Sequence, residues 1–120
     1  MKIKQSHWHH FFGGVALLIL IIQLLSGMVL TLFYSPHLNE AYASVQQIYN
    51  EFSSVAWIRD THRWAALFLF VAVIMHFIRS LLRKDYLNRD SKTLWLTGIL
   101  LYLPLLGFLL TGVILPLEWR

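Results

Sequence analysis

Three long apolar runs constrain this chain more than any other feature. Residues 11–33 contain only Gln23, Ser26 and Thr31 as polar members, residues 64–82 are broken only by His76, Arg79 and Ser80, and residues 94–117 carry no charge. About 20 apolar residues wound as a helix cross the hydrocarbon of a bilayer, where a backbone must satisfy its own hydrogen bonds. The first run is too long and too poorly punctuated for a cleaved signal peptide. The pattern predicts an all-α membrane protein, one domain over residues 1–120, with transmembrane helices at about 11–33, 56–82 and 94–117. The chain is 58% hydrophobic and 13% charged, whereas soluble domains average about 25% charged. A soluble enzyme of 120 residues is thereby excluded, because so small a core cannot hide that much apolar surface.

Pro36 is expected to end the first span, and Pro104 to kink the third. Between the first two spans, Leu38, Ala41, Tyr42, Val45, Ile48, Tyr49 and Phe52 recur at helical spacing. They predict a short amphipathic helix at about 38–52, lying along the membrane surface or packed on its own bundle. Lys2 and Lys4 precede the first span, and Arg83, Lys84, Arg89 and Lys92 fill the second connection, whereas the first connection has only Arg59 near its end. The positive-inside bias then puts the N-terminus and the second connection in the cytoplasm, with the first connection and the C-terminus on the opposite side. The net charge of +4 therefore reports topology, and nucleic acid is not an expected partner. With no cysteine, the chain offers no disulfide, iron–sulfur cluster, zinc–thiolate site or thioether-linked haem.

One interval occurs three times. His62 and His76 are 14 residues apart on the second span, Gly13 and Gly27 are 14 apart on the first, and Gly98 and Gly112 are 14 apart on the third. Fourteen residues make nearly four helical turns, so the two imidazoles leave one face about 21 Å apart. Glycine lets a bulky body approach a backbone, and histidine is a common axial ligand of haem iron. Two haems stacked across the bilayer account for all six positions. Taken singly, an intramembrane histidine is more often a packing residue, and membrane glycines usually serve helix contacts. The shared interval is what points to haem.

Arg79 follows His76 by three residues, and Arg59 and Arg63 bracket His62. An arginine fork suits a haem propionate; the alternative is snorkelling to the headgroups. Arg63 and Arg79 are assigned to propionates, and Arg83 and Lys84 to the headgroups. Gln23, in the middle of its span, should find a hydrogen bond in the bundle near the His62-side haem. His7, His9 and His10 form a cluster at the interface, His37 an exposed loop residue and Glu118 a solvated charge, so no residue pattern supports acid–base catalysis.

Trp57-Ile-Arg-Asp-Thr-His62-Arg63-Trp64-Ala-Ala followed by His76-Phe-Ile-Arg79 resembles the second transmembrane helix of cytochrome b from quinol:cytochrome c and plastoquinol oxidoreductase complexes. Gly13-Gly14 with Gln23 and Ser26-Gly27 resembles the first helix of that family. Glu40-Ala-Tyr-Ala-Ser44-Val45-Gln46 resembles its surface segment, and Trp95-Leu-Thr-Gly98 through Gly112 to Leu115-Pro116 its third helix. The likeness implies half of a four-helix bundle holding two low-spin, non-covalent b haems. His62 then resembles the axial ligand of the low-potential haem on the positive side, and His76 that of the high-potential haem on the negative side. Gly13, Gly27, Gly98 and Gly112 resemble the sites of close macrocycle approach, and Arg63 and Arg79 residues beside the haems. Phe11-Phe12 stands where some plastoquinol-type members have a cysteine that attaches a further haem.

The family's fourth helix, with its two histidines, and its downstream Pro-Glu-Trp-Tyr quinol-site motif are not in these 120 residues. Quinol oxidation is not expected of this segment alone. Each iron then takes its second histidine from another membrane subunit or from a second copy of this chain. A haem-free structural subunit is a further alternative, disfavoured by the intact ligand, glycine and arginine positions. The expected role is transmembrane electron transfer in a quinone-linked respiratory or photosynthetic complex. Rieske or c-type cytochrome subunits, the quinone pool and a quinone at a shared site are the implied partners. The expected location is the bacterial inner membrane or its equivalent.

The cysteine-free chain suits topology mapping. A cysteine from Asn39→Cys should react with an impermeant maleimide added outside intact spheroplasts, and one from Ser91→Cys only after permeabilisation. The opposite pattern would invert the assigned orientation.

Overall fold

A computed structural model of the chain describes residues 11–116. The Lys2 and Lys4 flank, the His7, His9 and His10 cluster, and Glu118 lie outside the described residues. Four α-helices follow in order: α1 Phe11–Leu30, α2 Ala41–Glu51, α3 Ser53–Leu82 and α4 Arg89–Ile114, with a 3-10 turn at Asp85–Leu87. Helices α1, α3 and α4 are long and apolar enough to cross a membrane. Leucines and other large apolar side chains stand exposed along all three, as lipid-facing residues do.

The element bounds differ from the sequence expectation in instructive ways. α1 stops at Leu30, well before Pro36, because Phe33 and Tyr34 both turn back onto the Leu30 carbonyl. Proline disfavours helix only in its immediate neighbourhood, so the turn at 31–33 ends this helix. α3 starts at Ser53, with a single residue, Phe52, separating it from α2. α4 begins in polar sequence at Arg89, where the Asn88 side chain accepts a hydrogen bond from the Asp90 amide as an N-cap. It runs through Pro104 without interruption; neighbouring turns tolerate the missing N–H in such spans. Lys84 takes the left-handed conformation, φ 57°, to turn the chain from α3 into the 3-10 turn.

α2 packs on its own bundle. Ala41, Val45 and Ile48 are buried along one stripe, and Ile48 meets Val55 and Ala56 of α3 with Leu30, Phe33 and Tyr34 at the end of α1. Leu38, Tyr42 and Tyr49 remain exposed on other faces. A polar clasp closes the corner: Arg59 Nη1 donates to the Tyr49 hydroxyl at 2.8 Å, and that hydroxyl donates to Asp60. Burial, then the Asp60 hydrogen bond, push the Tyr49 hydroxyl above its ordinary range, which keeps its proton in place for that donation. Ser35 donates from its hydroxyl to Glu40 and from its amide to Ser44 Oγ, tying the 31–40 connection to α2.

Ile48 is 1% exposed, and Ile→Ala in a core costs about 2–5 kcal/mol. Ile48→Ala should release α2 locally, so hydrogen exchange in Ala41–Glu51 should rise while α1 and the membrane-depth part of α3 keep their protection. Unchanged exchange in α2 would show that this stripe does not hold it.

Candidate functional site: a histidine–glycine seam

α3 presents His62, Ala65, Leu69, Ala72 and His76 at alternating steps of three and four, one face of a helix. Ala65, Leu69 and Ala72 are buried between the two histidines. The opposing face of α1 has glycine at the level of each imidazole. A Cβ placed on Gly27 would lie 3.3 Å from His62 Cε1 and 3.9 Å from its Nδ1. A Cβ on Gly13 would lie 3.3 Å from His76 Cε1 and 3.4 Å from its Nδ1. The helices are antiparallel, so the equal intervals in α1 and α3 bring both pairs into register. In each pair the Cε1–Nδ1 edge of the ring lies against α1, and Nε2 is beyond 4 Å of the glycine position.

The contrast with the other glycines is sharp. Of the chain's six, only Gly13 and Gly27 have an atom of another described segment within 4 Å of an added Cβ. Gly98 and Gly112, on α4, meet none. α4 leans on the rest of the molecule near its start, where Trp95 stacks on Phe77 at 6.2 Å between ring centroids and tilts against Tyr86 at 5.5 Å. Connectivity puts Gly98 at the His76 end of the bundle and Gly112 at the His62 end.

The arginines divide. Arg59 is engaged with Tyr49, including a cation–π contact at 5.4 Å, on the α2 side. Arg63 is exposed and makes no hydrogen bond or ion pair with another described residue. Arg79 is half-buried one turn beyond His76. His37 is an exposed connection residue, as expected.

Three polar residues acquire their surroundings only in the folded chain. Ser26, beside Gly27, is the one buried residue of α1, and its Oγ lies 2.7 Å from His62 Nδ1. A hydroxyl in an apolar span carries no address by itself; adjacency to Gly27 was the one available signal. Among the described residues, Trp95 Nε1 is a buried donor without an acceptor, and Gln23 Oε1 a buried acceptor without a donor. Gln23 lies one turn before Gly27, on the His62 side of α1, and Trp95 stacks on the residue next to His76. Each depth therefore carries one orphaned polar atom, and such groups ordinarily find a partner.

These residues fit haem better than a bare metal ion. No group of three or more His, Cys, Asp or Glu converges among the described residues, so a free cation has no cage. An iron held in its own macrocycle needs only one axial imidazole from this chain at each depth, with side-chain-free backbone beside it. An apolar groove of about 480 Å³, lined by Ile19, Ile22, Trp57, Trp64, Ala65 and Phe68 among others, follows a different flank. Trp57, Trp64 and Phe68 are rotated roughly 120–160° from His62 at 100° per residue.

The sequence profile described as Cytochrome b/b6/petB matches residues 2–119. The chain is 38% identical over 119 residues to cytochrome b6 of Prochlorothrix hollandica, covering 98% of this chain and 53% of that protein. It is 31% identical over 118 residues to the menaquinol:cytochrome c reductase cytochrome b subunit of Geobacillus thermodenitrificans, covering 93% of this chain and 52% of that one. Over 106 residues it is 37% identical to cytochrome b6 of Heliobacterium mobile, with 88% and 49% covered. The chain thus spans about half the length of these relatives, and the seam of His62, His76, Gly13 and Gly27 lies within the matched profile: the chain belongs to the cytochrome b/b6 family.

Proposed function

We propose that this chain is the haem-bearing membrane arm of a quinone-linked electron-transfer complex. It binds two non-covalent b haems, one on His62 and one on His76, and conducts electrons across the membrane. The observation that carries this is the pairing of each histidine with a glycine of α1 at its own depth, while among the described residues no packing neighbour lies within 4 Å of a Cβ added at the remaining glycines. Each haem supplies reversible one-electron chemistry at its iron when bound. His62 and His76 would each hold one haem iron through an imidazole nitrogen. Gly13 and Gly27 keep the α1 backbone clear of side chains, Gln23 offers an acceptor on the His62 side and Trp95 a donor on the His76 side. Arg63 and Arg79 are the guanidinium groups proposed for the propionates, since Arg59 is occupied by Tyr49.

The two imidazoles are about 21 Å apart along α3 and cannot share an iron, so each second ligand comes from outside the unit formed by α1, α3 and α4. A partner subunit with a further histidine-bearing helix is the proposed source. Names of relatives that act on menaquinol and cytochrome c support a quinone donor and a multi-subunit assembly. Electrons enter through the partners' quinone chemistry, and this chain holds and insulates the path between them. The proposed orientation places the His76 end at the cytoplasmic face.

A reduced-minus-oxidised spectrum of membranes carrying the full chain with its native partners tests the proposal: two acid-acetone-extractable b haems per chain are expected, and no b-type signal would overturn it. The isolated chain, if monomeric, should lose haem or become high-spin and five-coordinate. Two stable six-coordinate haems in a monodisperse monomer would remove the need for a partner.

Glycine substitutions test the pairing by depth. A leucine side chain at either position would overpack the seam, at about 1–3 kcal/mol or more. Gly27→Leu should abolish the His62-side haem and largely spare the other, and Gly13→Leu should do the reverse. Equal retention of both haems in both variants would refute the pairing.

A further inference from the structure

The repeat that builds the two halves of the seam is broken at one place. Gly13 and Gly27 correspond, as do His76 and His62, but the residue before Gly27 is Ser26 and the residue before Gly13 is Phe12. Ser26 is 9% exposed. Its Oγ lies 2.7 Å from His62 Nδ1 and 2.7 Å from the Ile22 carbonyl, with the Gln23 carbonyl farther off at 3.3 Å. A hydroxyl has one proton to donate. A carbonyl can only accept, so the close Ile22 carbonyl takes that proton, and the Ser26 oxygen is left to accept from His62, which also has the Gln23 carbonyl as a backbone acceptor. The proton of His62 therefore sits on Nδ1, and Nε2 keeps its lone pair. Among the described residues no side chain forms a hydrogen bond to His76, whose ring is exposed where that of His62 is half-buried.

We infer that Ser26 is a positioning residue for His62: through the chain His62 Nδ1–H to Ser26 Oγ–H to the Ile22 carbonyl, it fixes the tautomer and ring plane that offer Nε2 to iron and lowers the reduction potential of that site alone. The inference rests on the proposed haem-ligand role of His62. The direction follows from ligand basicity. A hydrogen bond drawn from Nδ1–H makes the imidazole a stronger donor. A stronger donor favours the ferric over the ferrous state, so the potential falls. Among the described residues His76 has no such hydroxyl, so the two sites are tuned unequally by a single side chain. The serine also holds its own helix, returning its proton to a carbonyl four residues back, so the acceptor is rigid before any haem is bound.

Redox titration of membranes containing the full chain and its native partners tests this, with the b-band absorbance fitted to two one-electron components. The component that disappears in Gly27→Leu identifies the His62 site. Ser26→Ala should raise the midpoint of that component, by up to about a tenfold change in its oxidised-to-reduced ratio, or about 59 mV for one electron, and leave the other in place. Its low-spin electron paramagnetic resonance signal should broaden or move as the ring plane is freed. Ser26→Thr, which keeps the hydroxyl, should titrate like the parent. Ser26→Cys, of similar size but a weak acceptor, should shift upward too, and it reads the effect if Ser26→Ala fails to retain haem. An unmoved midpoint in both Ser26→Ala and Ser26→Cys with haem content intact, an equal shift of both components, or a Ser26→Thr shift as large as that of Ser26→Ala would overturn the inference. Absence of two b components in the parent membranes would instead overturn the dihaem proposal on which it rests.

Discussion

An imidazole at membrane depth needs room beside it, and the seam between α1 and α3 meets that need with very little. Two positions without side chains, Gly13 and Gly27, set how closely the rings of His76 and His62 approach the neighbouring backbone. Fourteen residues fall about 40° short of four full turns on a straight helix, so a face repeating at that interval drifts. Because both helices use the same interval, the drift is shared and both pairs stay in register. The small residues Ala65 and Ala72 between the histidines let the helices stay close along the whole stretch.

The rest of the molecule is arranged around that seam rather than adding to it. α2 caps one end, where Ile48 fills the gap between the ends of α1 and α3 and the Tyr49–Arg59–Asp60 clasp closes the corner. The Trp95, Phe77 and Tyr86 rings join α4 to α3 at the other end. Along its remaining length α4 presents Gly98 and Gly112 with no atom within 4 Å of an added Cβ. The orphaned atoms of Gln23 and Trp95 lie one at each end of the seam. A pair of positions built alike at the level of histidine and glycine is therefore unequal in its polar surroundings.

Much of this was legible in the sequence. Lipid solvent requires long apolar helices, so three spans could be drawn from hydrophobic runs alone, and the 14-residue interval singled out His62, His76, Gly13 and Gly27 together with Gly98 and Gly112, of which only the first two glycines lie against the histidines. Two calibrations were needed. The first span ends at Leu30 and not near Phe33, because the chain turns back on the Leu30 carbonyl before Pro36 exerts any effect. The third begins at Arg89, since the Asn88 cap lets polar residues join the helix ahead of the apolar run. The arginines around His62 looked equivalent in sequence, yet Arg59 turns to Tyr49, a residue ten positions away that no local pattern connects to it.

Helix period, span length and the matched intervals are properties of the chain taken locally, so the sequence alone determined the number of spans, the face carrying the histidines and the glycines able to sit beside them. Which glycine faces which histidine, the burial of Ser26 against His62, the isolation of Gln23 Oε1 and Trp95 Nε1, and the docking of α2 were decided by the tertiary structure. Each depends on the antiparallel packing of segments 36 or more residues apart, in the case of Ser26 and His62, or on the folding back of a connection. A hydroxyl, an amide and an indole are satisfied or orphaned only by what packs beside them, and that is not written in their own stretch of chain.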